Sequence, residues 1–145
     1  MKFEPRPVPV LPEHRPLYKI SQILLTLLLA SRASRSSLQR LHLFNWALKS
    51  PERCELLRRA SITKRLELMT WGFDPMLANA INYAVASDLL VQVDTGYELT
   101  TEGHIFATHI TKDDELFGEE KSLFKVIGKS ITEKMVEAAS KEWGI

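Results

Sequence analysis

Cysteine is almost missing from this chain, because Cys54 is the single one among 145 residues. One thiol can form no internal disulfide, and without spaced partner ligands it cannot anchor a structural zinc ion. A long hydrophobic run is missing as well: the apolar stretch at residues 23 to 30, ILLTLLLA, is far shorter than the roughly 20 residues that span a bilayer. These shortages predict a cytoplasmic protein with no membrane segment.

Positive charge is missing from residues 75 to 103, which hold no Lys or Arg and four acidic residues. The net charge of the whole chain is +1, but it is unevenly spread along the sequence. Residues 32 to 65 hold nine basic and two acidic side chains, whereas residues 66 to 145 hold six basic and fourteen acidic ones. This segregation predicts a cationic surface from the middle of the chain and an anionic one from the rest.

The N-terminal third begins with a proline-rich arm and continues as a very apolar helix. Five prolines in residues 1 to 16 remove amide donors and disfavour helical geometry. Residues 17 to 31 then show helical periodicity in which Lys19, Gln22 and Thr26 form the one polar line. Such a helix needs cover on several sides, either from its own domain or from a partner chain or dimer mate.

Capping residues predict where the next helices begin. The capping box formed by Ser36 and Gln39 starts one helix, and Ser50 before a proline starts another that runs to about residue 60. Asp74 starts a helix that reaches residue 88, and Thr100 or the threonine after it starts a helix over residues 102 to 111.

Two stretches between these helices carry other signals. Residues 63 to 74 are ambiguous: Leu66 and Leu68 alternate with polar neighbours as in a strand, but Thr63 can also cap a two-turn helix that ends at Gly72, and we prefer the helix. Residues 89 to 93 and 97 to 99 predict a hairpin around Asp94, Thr95 and Gly96, whose Asp and Gly suit a tight turn.

The C-terminal stretch predicts helix throughout, as far as Trp143. Its apolar stripe consists of Phe124, Ile127, Ile131, Met135 and Ala138.

The order of these elements predicts a mainly α fold with a small β-hairpin, namely a winged helix-turn-helix domain with flanking N- and C-terminal helices. The expected organisation is an N-terminal arm at residues 1 to 16, the winged-helix domain at 17 to 112 and a C-terminal helical extension at 113 to 145.

Chemistry argues against the DNA-reading role that this architecture often has. Reading DNA requires Arg, Lys, Asn or Gln at base edges and cationic side chains at phosphates. Asn79 and Asn82 lie on the helix before the hairpin and can in principle read adenine. A helix and wing without one cation, however, would be repelled by a duplex, so we expect this surface to meet a protein.

Candidate contact residues fall into two sets. The first is basic and would bind a partner protein or DNA, unless these side chains form a solvated face with scattered ion pairs. Its members are Arg32, Arg35, Arg40, Arg58, Arg59, Lys64 and Arg65. The second set belongs to the helix and wing and would dock a partner protein. Its members are Asn79, Asn82, Asp94 and Tyr97.

Catalytic and cofactor patterns are weak. The tripeptide GKS at residues 128 to 130 resembles the end of a phosphate-binding loop, but Leu123 stands where the first glycine is required. His104 and His109 are five apart rather than four and lack the acidic helper of a zinc motif. No enzyme activity, metal or cofactor is therefore expected.

Three segments carry a resemblance to a known family: KISQILLTLLLASRASRSSLQRLHLFNWALKSPE (19 to 52), FDPMLANAINYAVASDLLVQ (73 to 92) and GYELTTEGHIFA (96 to 107). They resemble the middle component of ABC-three-component systems, small bacterial proteins encoded between an SMC/Rad50-like ATPase and an effector-bearing component. The resemblance covers roughly residues 17 to 110, and it transfers no catalytic motif.

The resemblance implies a non-catalytic adaptor that docks the ATPase to the effector in an antiphage or plasmid-defence complex, as in Lamassu-like systems. The partners would be the ATPase subunit and the effector subunit. A homodimer and non-specific DNA contact through the complex stay open. The alternative hypothesis is a stand-alone winged-helix transcription regulator that uses its Arg-rich middle segment on DNA.

Overall fold

The computed structural model describes residues 16–66 and 70–142, and within them the fold is mainly helical with one small antiparallel sheet. Its elements, in chain order, are α1 (Pro16–Leu29), a 3₁₀ turn (Arg32–Ser34), β1 (Arg35–Ser36), α2 (Leu38–Ala47), α3 (Pro51–Thr63), α4 (Pro75–Ala86), β2 (Leu90–Val93), β3 (Gly96–Leu99), α5 (Thr101–Lys112), α6 (Gly118–Ile127) and α7 (Glu133–Glu142). The predicted proline-rich arm, apart from its last residue, and Trp143 lie outside the described residues.

Helix α1 passes through the centre of the molecule and separates two apolar clusters. Ile23, Leu24 and Leu27 belong to a cluster shared with α4, α5 and the β2–β3 hairpin. Leu25 and Ala30 belong to the other cluster, which α2, α3, α6 and α7 complete. The chain itself therefore covers the apolar helix, which is the first of the two sources of cover expected from the sequence.

The polar line of α1 is buried too, and each of its side chains meets a partner. Lys19 donates a hydrogen bond to Asn45 Oδ1 at 2.6 Å. Gln22 donates to the Glu120 carboxylate at 2.7 Å, and Thr26 donates to the Gln22 carbonyl. These bonds offset the cost of burying polar groups in the middle of the protein.

Three of the predicted helix caps are confirmed. Ser50 accepts a hydrogen bond from the Arg53 amide, Asp74 from the Met76 amide, and Thr100 from the Gly103 amide. The fourth is displaced by one position, because Ser37 rather than Ser36 caps α2 and accepts from the Arg40 amide. Ser36 is instead part of β1, where it pairs with Tyr97 of β3.

The predicted hairpin is confirmed, with β2 and β3 joined by a turn at Asp94 and Thr95. A third strand was not predicted: β1 pairs with β3, so the strand order is β1-β3-β2 and all pairs are antiparallel. Leu90 and Leu99 face each other on the side of the sheet that packs against α1.

Two helix predictions are wrong. Thr63 is the last residue of α3, and Lys64 ends that helix in a left-handed conformation, so the described residues of the 63 to 72 segment contain no second helix. Residues 67–69 lie outside the described part. The C-terminal stretch is broken at Gly128, whose φ of 52° ends α6. Ile131 and Met135 of the predicted stripe are buried, but the buried alanine of α7 is Ala139 and Ala138 is exposed.

Helix length and polarity decide whether a helix can cross a bilayer. Within residues 16–66 and 70–142, every helix is too short or too polar to cross a bilayer.

Candidate functional site

Helix α4 presents an outer face that carries no charged side chain. Its inner face is buried through Leu77, Ala80, Ile81 and Ala84. The outer face combines uncharged polar and apolar side chains, all exposed. They are Met76, Asn79, Asn82, Tyr83, Val85 and Ala86. Solvated helix faces of soluble proteins are mostly charged or polar, so an outer face of this composition is unusual for one that meets only water.

Phe73 extends this face beyond the start of the helix. It is 67% exposed, and Tyr83 on the helix is 61% exposed. Large aromatic rings are enriched at protein interfaces because each buries a large area on a rigid side chain. We call Phe73 and the exposed α4 residues named above the α4 face.

The β2–β3 hairpin follows α4 and carries two acidic side chains, one at its turn and one on β3 that is neutralised by an ion pair. Asp94 is exposed at the turn. Glu98 on β3 forms an ion pair of 3.1 Å with Arg35 of β1, so the sheet does contain one cation that the hairpin sequence lacks. Tyr97 is half-buried and packs against the cluster around α1, which leaves only part of its ring for a partner.

A second feature is an open groove of about 990 Å³ beside the hairpin tip. Its walls come from the 3₁₀ turn, β1, the start of α2, Thr95 of the hairpin, and the segment that joins α6 to α7 together with α7 itself. Five basic and two acidic side chains line it. They are Arg32, Arg35, Arg40, Lys129, Lys134, Glu133 and Glu137. The lining therefore has a net charge of +3, and we call it the cationic groove.

Glu133 already places a carboxylate at one wall of this groove. Its Oε2 accepts a hydrogen bond of 2.9 Å from the backbone N–H of Ser37, at the start of α2. The negative charge of Glu133 also acts on the buried guanidinium of Arg40. The start of a helix favours an anion, because the unpaired backbone N–H groups and the positive end of the helix dipole lie there.

Arg40 was predicted as a contact residue, but this prediction is wrong because its side chain is buried. The guanidinium donates to the carbonyl oxygens of Ile131 and Ala30 and to the Ser31 hydroxyl, and it lies over the Phe44 ring. Burial lowers the pKa of Arg40 to about 10, although the Glu133 charge acts to raise it. Arg40 joins the end of α1 to the α6–α7 connection and offers little to an outside ligand.

The other predicted basic residues lie around the end of α3. Arg59, Lys64 and Arg65 are exposed, whereas Arg58 is half-buried and pairs with Glu55 at 3.5 Å. None of these residues lines the cationic groove. The structure thus brings Arg32 and Arg35 together with Lys129 and Lys134, and leaves the α3 end as a separate basic region.

A polar cluster fixes the start of α4. The Asp74 carboxylate accepts from Asn45 at 2.8 Å and from Lys49 at 2.9 Å. Desolvation raises the pKa of Asp74, but its hydrogen bonds with Lys49, Asn45 and the Met76 amide and the charge of Lys49 outweigh this and hold it well below its usual range. The cluster anchors the first turn of the helix that carries the α4 face.

His42 adjoins the same cluster. Its Nδ1 accepts from the Asp74 amide at 3.2 Å and its ring stacks on Phe73, with 4.9 Å between centroids. Desolvation lowers the pKa of His42, against the opposing charge of Asp74. Its Nε2 is buried and has no hydrogen-bond partner among the described residues. The buried His42 ring therefore supports the exposed Phe73 ring through this contact.

Two further features of the sequence are the Cys54 thiol and the GKS tripeptide, whose Lys129 lines the cationic groove. Burial raises the pKa of the Cys54 thiol, which donates to the Ala47 carbonyl. The tripeptide at residues 128 to 130 is part of the α6–α7 connection, because the predicted C-terminal helix is broken there. Residues 16–66 and 70–142 contain no cluster of His, Cys, Asp and Glu able to hold a metal ion.

Comparison with protein-family models, with curated proteins and with solved structures gave no match for this chain.

Three groove residues, Lys129, Lys134 and Glu133, were not predicted from the sequence. Nearly a hundred residues separate them from Arg32, and they meet it only because α7 packs near the start of α2. No local pattern marks such a meeting. The one available signal was Gly128 itself, because glycine is the residue most typical of a helix end, although here it lies within the apolar stripe.

Proposed function

We propose that this chain is a non-catalytic winged-helix adaptor subunit that docks an SMC/Rad50-like ABC ATPase to an effector component in a bacterial antiphage or plasmid-defence complex. The proposal has two parts. The docking role rests on the surface of the folded chain, and the identity of the partners rests on the resemblance of its sequence to the middle component of ABC-three-component systems.

The winged-helix assignment is supported by the order of elements and strands. In such domains a short strand follows the first helix and pairs with the strand after the wing turn. Here β1 follows α1 and pairs with β3, and the β2–β3 hairpin follows α4. Residues 64 to 74 separate α3 from α4, which is a longer connection than the short turn expected of a helix-turn-helix unit.

The single observation that carries the docking role is the uncharged, partly aromatic α4 face. In a DNA-reading domain this helix would need cations to neutralise phosphates, and here it has none. Apolar side chains with a few Asn amides are typical of the centre of a protein interface, where charged residues are depleted. A protein partner would bury Phe73, Met76 and Tyr83 as its main contacts.

The test is to replace Asn79 and Asn82 by Lys and to co-express the chain with the products of its neighbouring genes. Buried, unpaired ammonium groups would oppose docking, so the variant should no longer co-purify with the ATPase and the effector. Mass measurement of the purified complex gives the readout. The matched control is Ser122→Lys with Val126→Lys, which adds the same charge to the exposed side of α6 and should leave the complex intact.

The stand-alone regulator predicts opposite results. In that case the Asn-to-Lys variant would bind duplex DNA more tightly than the unmodified chain, and the unmodified chain would bind operator DNA alone with a steep salt dependence. Nanomolar binding of that kind would overturn the adaptor proposal. Complexes that survive the two lysines would exclude the α4 face as the docking site.

A further inference from the structure

We propose that the cationic groove binds an acidic peptide segment of a partner protein. This inference rests on the adaptor role, because its ligand is protein, but it concerns a surface separate from the α4 face. None of the α4 residues lines the groove.

Charge complementarity is the first reason. Arg32, Lys129 and Lys134 are exposed on three different segments that surround the same opening. No ion pair among the described residues uses any of the three, whereas Arg35 is already paired with Glu98. Charges left unpaired around a concave surface attract a ligand of the opposite sign.

The second reason is the carboxylate that the chain already holds there. Glu133 accepts a hydrogen bond from the Ser37 amide at the start of α2 and acts electrostatically on Arg40. This pair of interactions is the one that an Asp or Glu side chain of a ligand would make at a helix start. Glu133 therefore occupies one acidic subsite and competes with a ligand for it.

The third reason separates a peptide from nucleic acid. Of the apolar residues at the groove, Ala33 is exposed, whereas Ile131 and Val136 are buried and offer a ligand little apolar surface. Glu133 and Glu137 would repel a continuous row of phosphates, but a peptide can place its few acids away from them. A volume near 990 Å³ is at the upper end of ordinary ligand sites and suits several residues of peptide.

The test uses amide chemical shifts of the full chain in solution. The probe is a short synthetic peptide of Glu and Leu, and its reference is the same peptide with Gln in place of Glu. We expect the acidic peptide to shift the amides of Ser37, Thr95, Lys129 and Lys134 saturably, and the neutral one to shift them little. A titration of the same sample with duplex DNA shows whether the groove prefers nucleic acid to an acidic peptide.

Two variants make the result specific. Arg32→Glu with Lys134→Glu should weaken peptide binding about tenfold or more, since it reverses two charges at the opening. Glu133→Gln should strengthen binding about threefold, because it removes a negative charge that repels an acidic ligand, while Gln can keep the Ser37 hydrogen bond and the local fold. The matched control is Lys112→Glu with Lys125→Glu, which makes the same charge change on exposed residues outside the groove.

The proposal fails if the groove amides do not shift, if duplex DNA shifts them at lower concentration than the peptide, or if the control pair weakens binding as much as the groove pair. These outcomes are independent of the α4 test. If the chain binds the probe peptide but forms no complex with the products of its neighbouring genes, the groove proposal stands with a different partner and the adaptor proposal fails. A chain that assembles normally but ignores the probe loses the groove inference alone.

Discussion

Arg40 combines a full positive charge with a position inside the protein. The residue is 3% exposed, and its guanidinium donates to groups at the end of α1 and just before α7. The planar fork of Arg matches several acceptors at once, which the ammonium of Lys cannot do. The sequence predicted this charge at the surface, because a run of basic residues gives no indication of which member turns inward.

Replacing Arg40 by Lys should lower the free energy of unfolding by about 3 kcal/mol, because buried acceptors would lose their donors while a buried charge remains. Denaturant unfolding measures the change. Arg59→Lys at an exposed position is the control and should change stability by less than about 0.5 kcal/mol. An Arg40→Lys variant as stable as the unmodified chain would mean that the side chain is not held by these acceptors.

At the scale of elements, local rules predicted the helices best. Ser50, Asp74 and Thr100 each satisfy the free amides of a first turn, and this chemistry lies within three residues of the cap. Ser36 was predicted as the cap of α2 because Gln39 lies three residues after it, as the capping box requires. The observed cap is the next residue, Ser37. The sheet decides between the two serines, since Ser36 pairs with Tyr97.

Strand β1 was not predictable from its own residues. It has two of them, and both are paired with β3, about sixty positions later in the chain. The same reason applies to the cationic groove, which exists only after α7 has packed near the start of α2. Asn79 and Asn82 on the outer face of α4, in contrast, were predicted, because polar residues of an amphipathic helix lie opposite its buried stripe.

Gly96 allows the close approach of β1 to β3. A Cβ at this position would lie 2.0 Å from the Ser36 carbonyl oxygen, and the φ of +151° is one that side chains disfavour. Gly96→Ala should therefore destabilise the fold by on the order of 3 kcal/mol and shift the amide resonances of both β1 residues.

Gly118→Ala is the matched control for this substitution. Gly118 begins α6, and a Cβ added there would have no neighbouring atom within 4 Å, so alanine should leave stability equal or slightly higher. Equal effects of the two alanines would show that β1 does not need the close approach.

At the scale of the whole molecule, the basic middle of the sequence does not become one basic surface. Arg40 is buried, Lys49 pairs with Asp74, and Arg53 stacks on Trp46. The remaining cations divide between the groove and the end of α3. Counting charge along a chain therefore overestimates the charge that a partner meets, because part of it is used to hold the fold together.

Replacing both Arg58 and Arg59 by Glu should weaken association with the partner proteins and lower the melting temperature by only a few degrees, because exposed and half-exposed ion pairs contribute little. Thermal unfolding and co-purification with the neighbouring gene products measure the two effects. A large fall in melting temperature would assign these arginines a structural role instead.

The central position of α1 has a consequence during synthesis. This helix leaves the ribosome before the residues of α5 and α6 that cover it have been made, although both pack directly against it in the finished fold. The nascent chain thus carries its most apolar helix uncovered until the residues of α5 and α6 have been synthesised. An apolar helix left uncovered in this way is prone to aggregate, so slower elongation should lower the soluble yield of the chain, which can be measured by expressing it from a gene with rare codons between α1 and α5.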